Sequence, residues 1–354
     1  MNLLPLLARQ LAEYPLAQPV DLLKLLYQNE FGCGHLIDDP MKSRNRLKEE
    51  SDRLPAKQDD GPFIERIGNG LCRIHLRVLH RERLRLNTLH RFFELSAVRL
   101  RGSRDGFLGK AAVLEQLCRD GALPFDAEEV RRQIEVWKTG KGRPFRHSAQ
   151  FRAAYAPAYR VVEQPFCDYL QLFCRIDSLL TEKGRVLVAI DGNCASGKTT
   201  LAALLQLVYG CNILPMDHFF LRPEQRTAER LAEPGGNVDH ERFYREVLAP
   251  LRSGQPFSYR PYRCDSRTLG EPVPVGRRPI NIVEGSYSLH PALADAYDLK
   301  VFLSVDPQEQ MRRIFARNGE EMARRFASEW IPMEENYFKT FSIAERCDLR
   351  FSNG

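Results

Sequence analysis

Nine consecutive residues carry the clearest chemistry in the chain: Gly192, Asn193, Cys194, Ala195, Ser196, Gly197, Lys198, Thr199 and Thr200. They fill the pattern GxxxxGK(S/T), which average composition yields by accident in roughly one chain of this length in a hundred. Each residue type has a physical use. The glycines let backbone N–H groups close on phosphate oxygens, with Asn193, Ala195, Ser196 and Thr200 supplying further main chain around them. Lys198 brings a point charge to the β- and γ-phosphates of ATP, and the Thr199 hydroxyl can ligate Mg2+. Context supports the reading, because Arg185 to Ile190 is a short β-branched run before the loop, while Leu201, Leu204, Leu205 and Val208 place an apolar helix face after it. The competing reading is a glycine-rich strand-to-helix turn with an exposed lysine.

A metal-bound phosphate also needs an acid, and two runs provide one. Residues 280–283 form an apolar strand that ends at Glu284 and Gly285, and residues 212–216 lead to Asp217. Open α/β sheets bind ligands at the carboxyl ends of their strands, so both acids are expected beside the loop. Each could instead be an acid that merely opens a helix.

In order along the chain, the strand and phosphate loop, Met216-Asp217-His218-Phe219-Phe220, Asn237-Val238-Asp239-His240 and Ile282-Val283-Glu284-Gly285 resemble the uridine kinase and phosphoribulokinase-like group of P-loop kinases. The resemblance covers about residues 181–354. It implies that Asp217 accepts the proton of the acceptor hydroxyl, that Glu284 is the metal-associated acid beside Thr199, and that Asp239 binds sugar hydroxyls. Phe220 falls where the group often has a tyrosine lining the acceptor pocket, and Tyr259 falls near another such aromatic. The run Arg312, Arg313, Arg317, Arg324 and Arg325 resembles an arginine-bearing lid, with Arg317 and Arg324 as the predicted catalytic pair. Guanidinium groups that arrive on closure stabilise dispersed charge and exclude water, although a solvated helix face also explains such a run. Three departures stand out: Val238 replaces an aromatic, Arg260 replaces an acid, and Cys264 lies where a histidine is usual. The base-reading residues of a nucleoside kinase therefore do not carry over.

The elements that must position these residues follow from the alternation of apolar runs at about 212–215, 280–283 and 300–304 with helical segments at about 199–209, 239–252 and 307–327. That is an α/β pattern with a parallel sheet flanked by helices, here a P-loop kinase domain over residues 181–354. Residues 253–279 have little periodicity and read as a long excursion. Residues 1–180 read as a mainly helical domain of unknown role. Pro19 opens a helix that ends near Gly32, Asp126 and Glu129 form a capping box, and Gly140 closes the helix after it. Phe31 to His35 reads as a helix end followed by a packed histidine. Arg73, Arg77 and Arg81 fall at four-residue spacing and read as one basic helix face, and Lys138 to His147 is a second basic stretch. A solvated face explains the stripe best; a site for RNA or another polyanion, or a wall for an acidic substrate, is the sharper alternative. Phe92, Phe93 and Phe107 suit a core as well as base stacking. Ser148 reads as a helix N-cap.

Composition bounds the whole. The 354 residues are 43% apolar and 28% charged, which excludes disordered and fibrous classes, and no run approaches a membrane span or a signal peptide. The 52 Lys and Arg exceed the 46 Asp and Glu by six, all of the excess lying in residues 1–180. Nine scattered cysteines without a CxxC pair read as reduced, cytoplasmic thiols. The leading expectation is a cytoplasmic ATP- and Mg2+-dependent kinase acting on a hydroxyl of a small molecule: a nucleoside, a sugar or another metabolite. The alternative is a nucleotide-dependent switch or binding module, RNA-associated through the basic stripe. Asp217 separates the two, since a base is required for transfer and superfluous for a switch.

Overall fold

In the computed structural model the chain divides into two units, Met1–Cys174 and Arg175–Gly354. Residues 2–33, 37, 39–54, 61–98, 102–140 and 142–353 are described. Gly34, His35 and Lys141, each part of a stretch singled out above, fall outside them.

The first unit is largely helical, as its periodicity predicts, but it is not all helix. Strands β1 (Ile64–Gly68), β2 (Leu71–His75) and β3 (Tyr159–Glu163) form an antiparallel sheet in that order. This corrects the helical reading of the arginine stripe. Arg73 lies in β2 and is 1% exposed, whereas only Val78–Arg81 is helical. Its guanidinium is buried because every face of it is used. It donates to Gln28 Oε1 at 2.7 and 3.0 Å, to Gln10 Oε1 at 3.3 Å and to Glu65 Oε2 at 3.0 Å, and it lies 4.7 Å from the centre of the Tyr159 ring. Glu65 also takes Tyr14 and His75. A buried cation is tolerated when it is paired and fully hydrogen-bonded, so this arginine braces a core and presents no charge to a partner.

Most other local signals behave as their chemistry predicts. Pro19–Phe31 is a helix with Pro19 in its first turn and Gly32, at φ 63°, at its end. Asp126 caps Ala127–Thr139 by accepting from Glu128 N at 3.0 Å, not through the expected box with Glu129, and Ser148 Oγ accepts from Phe151 N at 3.0 Å at the head of Ala149–Tyr155. Phe92 and Phe107 are fully buried, Phe92 stacking on Phe166 at 4.6 Å, so these aromatics are core.

The second unit is built on five parallel strands, β4 (Val186–Gly192), β5 (Asn212–Pro215), β6 (Ile280–Glu284), β7 (Leu299–Ser304) and β8 (Leu349–Ser352), in the order β8-β7-β4-β6-β5. β4 is central and almost wholly buried, which is why it is written as an unbroken apolar run. Helix Lys198–Tyr209 buries Leu201, Ala202 and Leu205 and stops at Gly210, φ 63°. The aperiodic stretch after Ser253 contains two ribbons, Phe257–Tyr259 with Val273–Val275 and Tyr262–Arg263 with Thr268–Leu269. Helix Pro307–Arg325 is interrupted at Gly319, whose φ of 78° and ψ of 176° are non-helical. No helix among the described residues is long and apolar enough to cross a membrane.

Candidate active site

Strand register brings the predicted acids to the loop. Glu284 pairs across β6 with Ile190 on one side and Pro215 on the other, so the ends of β4, β5 and β6 lie at one edge of the sheet. Gly192 closes β4 where no other residue fits: a Cβ there would come within 1.9 Å of the Leu303 carbonyl oxygen, at a φ of 136°. The chain then turns through Ala195 (φ 60°) and Gly197 (φ 100°) into the helix that begins at Lys198.

Inside this loop Lys198 is 8% exposed and donates to the carbonyls of Gly192 at 2.7 Å and Asn193 at 2.8 Å. The ammonium is thus held at the mouth of the loop, on acceptors that a phosphate can replace. Thr199 Oγ1 lies 3.2 and 3.4 Å from the two carboxylate oxygens of Glu284. Burial and the neighbouring charge of Asp217 push the Glu284 carboxyl up, against the pull of Lys198 and the Thr199 hydroxyl. Asp217 itself is exposed, in the turn Met216–Phe219, 3.5 Å from the Cβ that Gly285 lacks. Ser196 Oγ is buried and makes no hydrogen bond.

Several residues that hold this loop escaped the sequence reading. Asp191 is fully buried and accepts from Gly192 N (2.7 Å), Tyr287 N (3.1 Å), Leu289 N (2.9 Å) and Tyr337 Oη (2.9 Å), which fixes the end of β4 against the segment after β6. Glu334 accepts from Cys194 N at 2.9 Å and from Ser286 Oγ at 2.6 Å. Gln310 and Asn353 donate to the carbonyls of Cys194 (3.0 Å) and Ser196 (2.8 Å). Arg313 donates to the Ala195 carbonyl at 3.2 Å and pairs with Glu309 at 2.7 Å. It is therefore the arginine of the run that touches the loop. Arg317 donates to Asn318 and Arg324 pairs with Glu320, both exposed, on opposite sides of the Gly319 interruption.

No protein-family model matches the chain. A Schizosaccharomyces pombe protein, provisionally named a uridine kinase, is 31% identical over 179 residues, covering 43% of this chain and 74% of the relative. The chain belongs to the uridine kinase-like P-loop kinases. Among solved structures, a provisionally named uridine kinase from Bacillus stearothermophilus is 21% identical over 51% of this chain and 99% of its own, with a TM-score of 0.38. A protein from Silicibacter, provisionally named a fructose transport system kinase, is 22% identical over 47% and 89%, with a TM-score of 0.37.

The residues that the resemblance assigns to the acceptor each have partners of their own. Asp239 is 2% exposed; its Oδ1 accepts from Arg242 N at 3.0 Å and its Oδ2 from Gln225 at 2.8 Å. In this structure it is a buried helix cap. Phe220 is half-buried and bridges to Val238, and Tyr259 is 3% exposed with its hydroxyl 2.9 Å from His218 Nδ1. Burial pushes the Tyr259 hydroxyl up to about 12 and holds the His218 imidazole below its usual value, so both are neutral near pH 7. Arg260 donates to the carbonyls of Gly270 (2.8 Å) and Leu269 (3.2 Å), a structural use for the residue that replaces an acid.

Proposed function

We propose that this kinase transfers the γ-phosphate of ATP to a hydroxyl group of a small molecule in the cytoplasm. The observation that carries the reading is the convergence of Lys198, Thr199, Glu284 and Asp217 at one sheet edge, with Glu284 3.2 Å from Thr199 and Asp217 close enough for its charge to act on Glu284. Backbone N–H groups of Gly192 to Thr200 cradle the phosphates, and Lys198 exchanges its two carbonyl partners for phosphate oxygens. Among the described residues no group of three His, Cys, Asp or Glu side chains could hold a metal by itself. Thr199 and Glu284 nevertheless offer a hydroxyl and a carboxylate, the hard oxygen donors that Mg2+ takes together with phosphates and water. When bound, that ion supplies charge neutralisation along the phosphates.

The acceptor oxygen attacks the γ-phosphorus, the bond from that phosphorus to its bridging oxygen breaks, ADP leaves, and Asp217 takes the hydroxyl proton. Arg313 steadies the loop, while Arg317, ahead of Gly319, and Arg324, on the segment beyond it, serve as guanidinium donors once the helix closes over the phosphates. Nine free thiols favour a reducing compartment. Nucleosides are the first acceptor class by family, but Val238 is fully buried and Cys264 offers no strong donor, so neither stacks on a base nor reads its edge. Uridine and cytidine are therefore not expected to be the best acceptors. The test is ADP production by the purified chain across nucleosides, sugars, sugar phosphates and hydroxy acids. A saturable acceptor supports transfer; uridine phosphorylation that is saturable at micromolar concentration and exceeds all others would return the ordinary uridine kinase specificity.

A further inference from the structure

We infer that Gln310 and Arg313, three residues apart in the helix Pro307–Arg325, are positioning residues for phosphate binding: they hold the peptide planes on either side of Ala195 so that the N–H groups of the loop face the nucleotide. This assignment rests on the kinase reading and adds two residues to its machinery. Four successive peptide units of the loop are each held by one side chain from 116 to 157 positions further along the chain. Glu334 accepts from Cys194 N at 2.9 Å, Gln310 donates to the Cys194 carbonyl at 3.0 Å, Arg313 to the Ala195 carbonyl at 3.2 Å and Asn353 to the Ser196 carbonyl at 2.8 Å. No cis peptide bond occurs among the described residues, so the N–H of each unit points away from its carbonyl. With the carbonyls of Cys194, Ala195 and Ser196 turned out to these donors, the N–H groups of Ala195, Ser196 and Gly197 turn inward. Ser196 N accordingly donates across the turn to the Asn193 carbonyl at 3.1 Å. A run of main-chain N–H groups facing one way is the concave seat that binds an anion.

Ala195 is the residue that makes such a grip necessary. Its φ of 60° lies in the left-handed region, which a residue with a side chain disfavours, whereas the other positive-φ positions of the loop, Gly192 and Gly197, are glycines. The φ and ψ of Ala195 are the rotations between the two planes that Gln310 and Arg313 hold, so the two donors together lock the strained residue. Both donors are themselves fixed. Gln310 is 4% exposed and also donates to Cys194 Sγ at 3.1 Å, and the Arg313 Nε is engaged by Glu309 at 2.7 Å. Asp306 sets the start of their helix by accepting from Gln308 N at 2.9 Å and Glu309 N at 3.3 Å. Without the two donors Ala195 relaxes toward ordinary backbone conformations, and an arriving phosphate bears the cost of restoring the turn.

The test is the affinity of the full chain for ADP with Mg2+, read by isothermal titration calorimetry, for Gln310→Leu and Arg313→Met. Each is made in the native sequence and again together with Ala195→Gly. Affinity is expected to fall by about 10-fold in each single variant, the scale of one strained backbone conformation left unsupported. Glycine enters the left-handed region at no steric cost, so against Ala195→Gly alone the same substitutions should cost less than about threefold. A contribution to packing or folding would give equal losses in the two backgrounds. Arg313 is half-buried, so its variant decides the question if Gln310→Leu does not fold. Affinity within about threefold of the unsubstituted chain in either single variant that folds, or equal losses in the two backgrounds, would overturn the inference. Titration needs no acceptor, which keeps the two claims apart. The expected losses without ADP formation from ATP by any acceptor would sink phosphoryl transfer and spare the grip, whereas efficient transfer with insensitive variants would do the reverse.

Discussion

Replacing Lys198 by alanine tests whether the loop is built for phosphate or merely for turning a corner. The ammonium bonds to the carbonyls of Gly192 and Asn193, at 2.7 and 2.8 Å, and contributes nothing to the apolar packing carried by Leu201 and Leu205. Removing it forfeits at most two charge-assisted bonds of about 1.5–3 kcal/mol each, so stability should fall by no more than about 6 kcal/mol. Transition-state stabilisation should suffer as well. Loss of one preorganised charged donor costs about 3–4 kcal/mol, or roughly 100- to 1000-fold in kcat. The assay is single-turnover ADP formation with the best acceptor of the panel, beside circular dichroism and thermal melting. ADP formation within threefold of the unsubstituted chain, with an unchanged spectrum, would refute the phosphate role of Lys198.

Gly192→Ala probes the seam between β4 and β7. A methyl group 1.9 Å from the Leu303 carbonyl oxygen, at a φ of 136°, cannot be absorbed by a flexible side chain, so a loss above about 3 kcal/mol is expected. An unchanged Tm would mean that the two strands do not approach as described. The buried network of the first unit gives a pH dependence. Burial alone would raise the Glu65 carboxyl, but His75, Arg73 and Tyr14 outweigh it and hold the group at about 2. Because that value lies below the ordinary one near 4.3, the stabilisation is complete above about pH 4.5 and is lost as pH falls towards 2, on the order of 3 kcal/mol in all. Glu65→Gln should lower Tm at neutral pH and flatten this acid limb; an unaltered limb in that variant would assign the acid sensitivity elsewhere.

What the sequence disclosed and what it hid divide along distance in the chain. The phosphate loop was legible because its residues are contiguous and flanked by a β-branched run and an apolar helix face. Strands β5, β6 and β7 were legible as short apolar runs, and Glu284 and Asp217 as the acids that end two of them. Asp191 was not, since its partners Tyr287, Leu289 and Tyr337 lie about 100 to 150 positions away and its own setting reads only as the end of a strand. Glu334 holds Cys194 across 140 positions for the same reason. Strand β2 was hidden by periodicity: Leu71, Ile74 and Val78 repeat at helical spacing, and nothing local reveals that Arg73 has Gln10, Gln28 and Glu65 waiting for it. The ribbons after Ser253 are two or three residues long, too short for alternation to register.

The measurement that bears most directly on phosphoryl transfer is the Asp217→Asn variant, followed by both nucleotide titration and turnover. Asparagine keeps the shape of the exposed side chain and removes its basicity, whereas the loop residues that would bind nucleotide are untouched. With Asp217 as the base, the dissociation constant for ATP should change by less than about threefold while kcat falls by about 100-fold or more with every acceptor. An equal loss in titration and turnover would move Asp217 to the metal or to folding. Unchanged turnover would contradict its role as the base and favour a nucleotide-dependent switch.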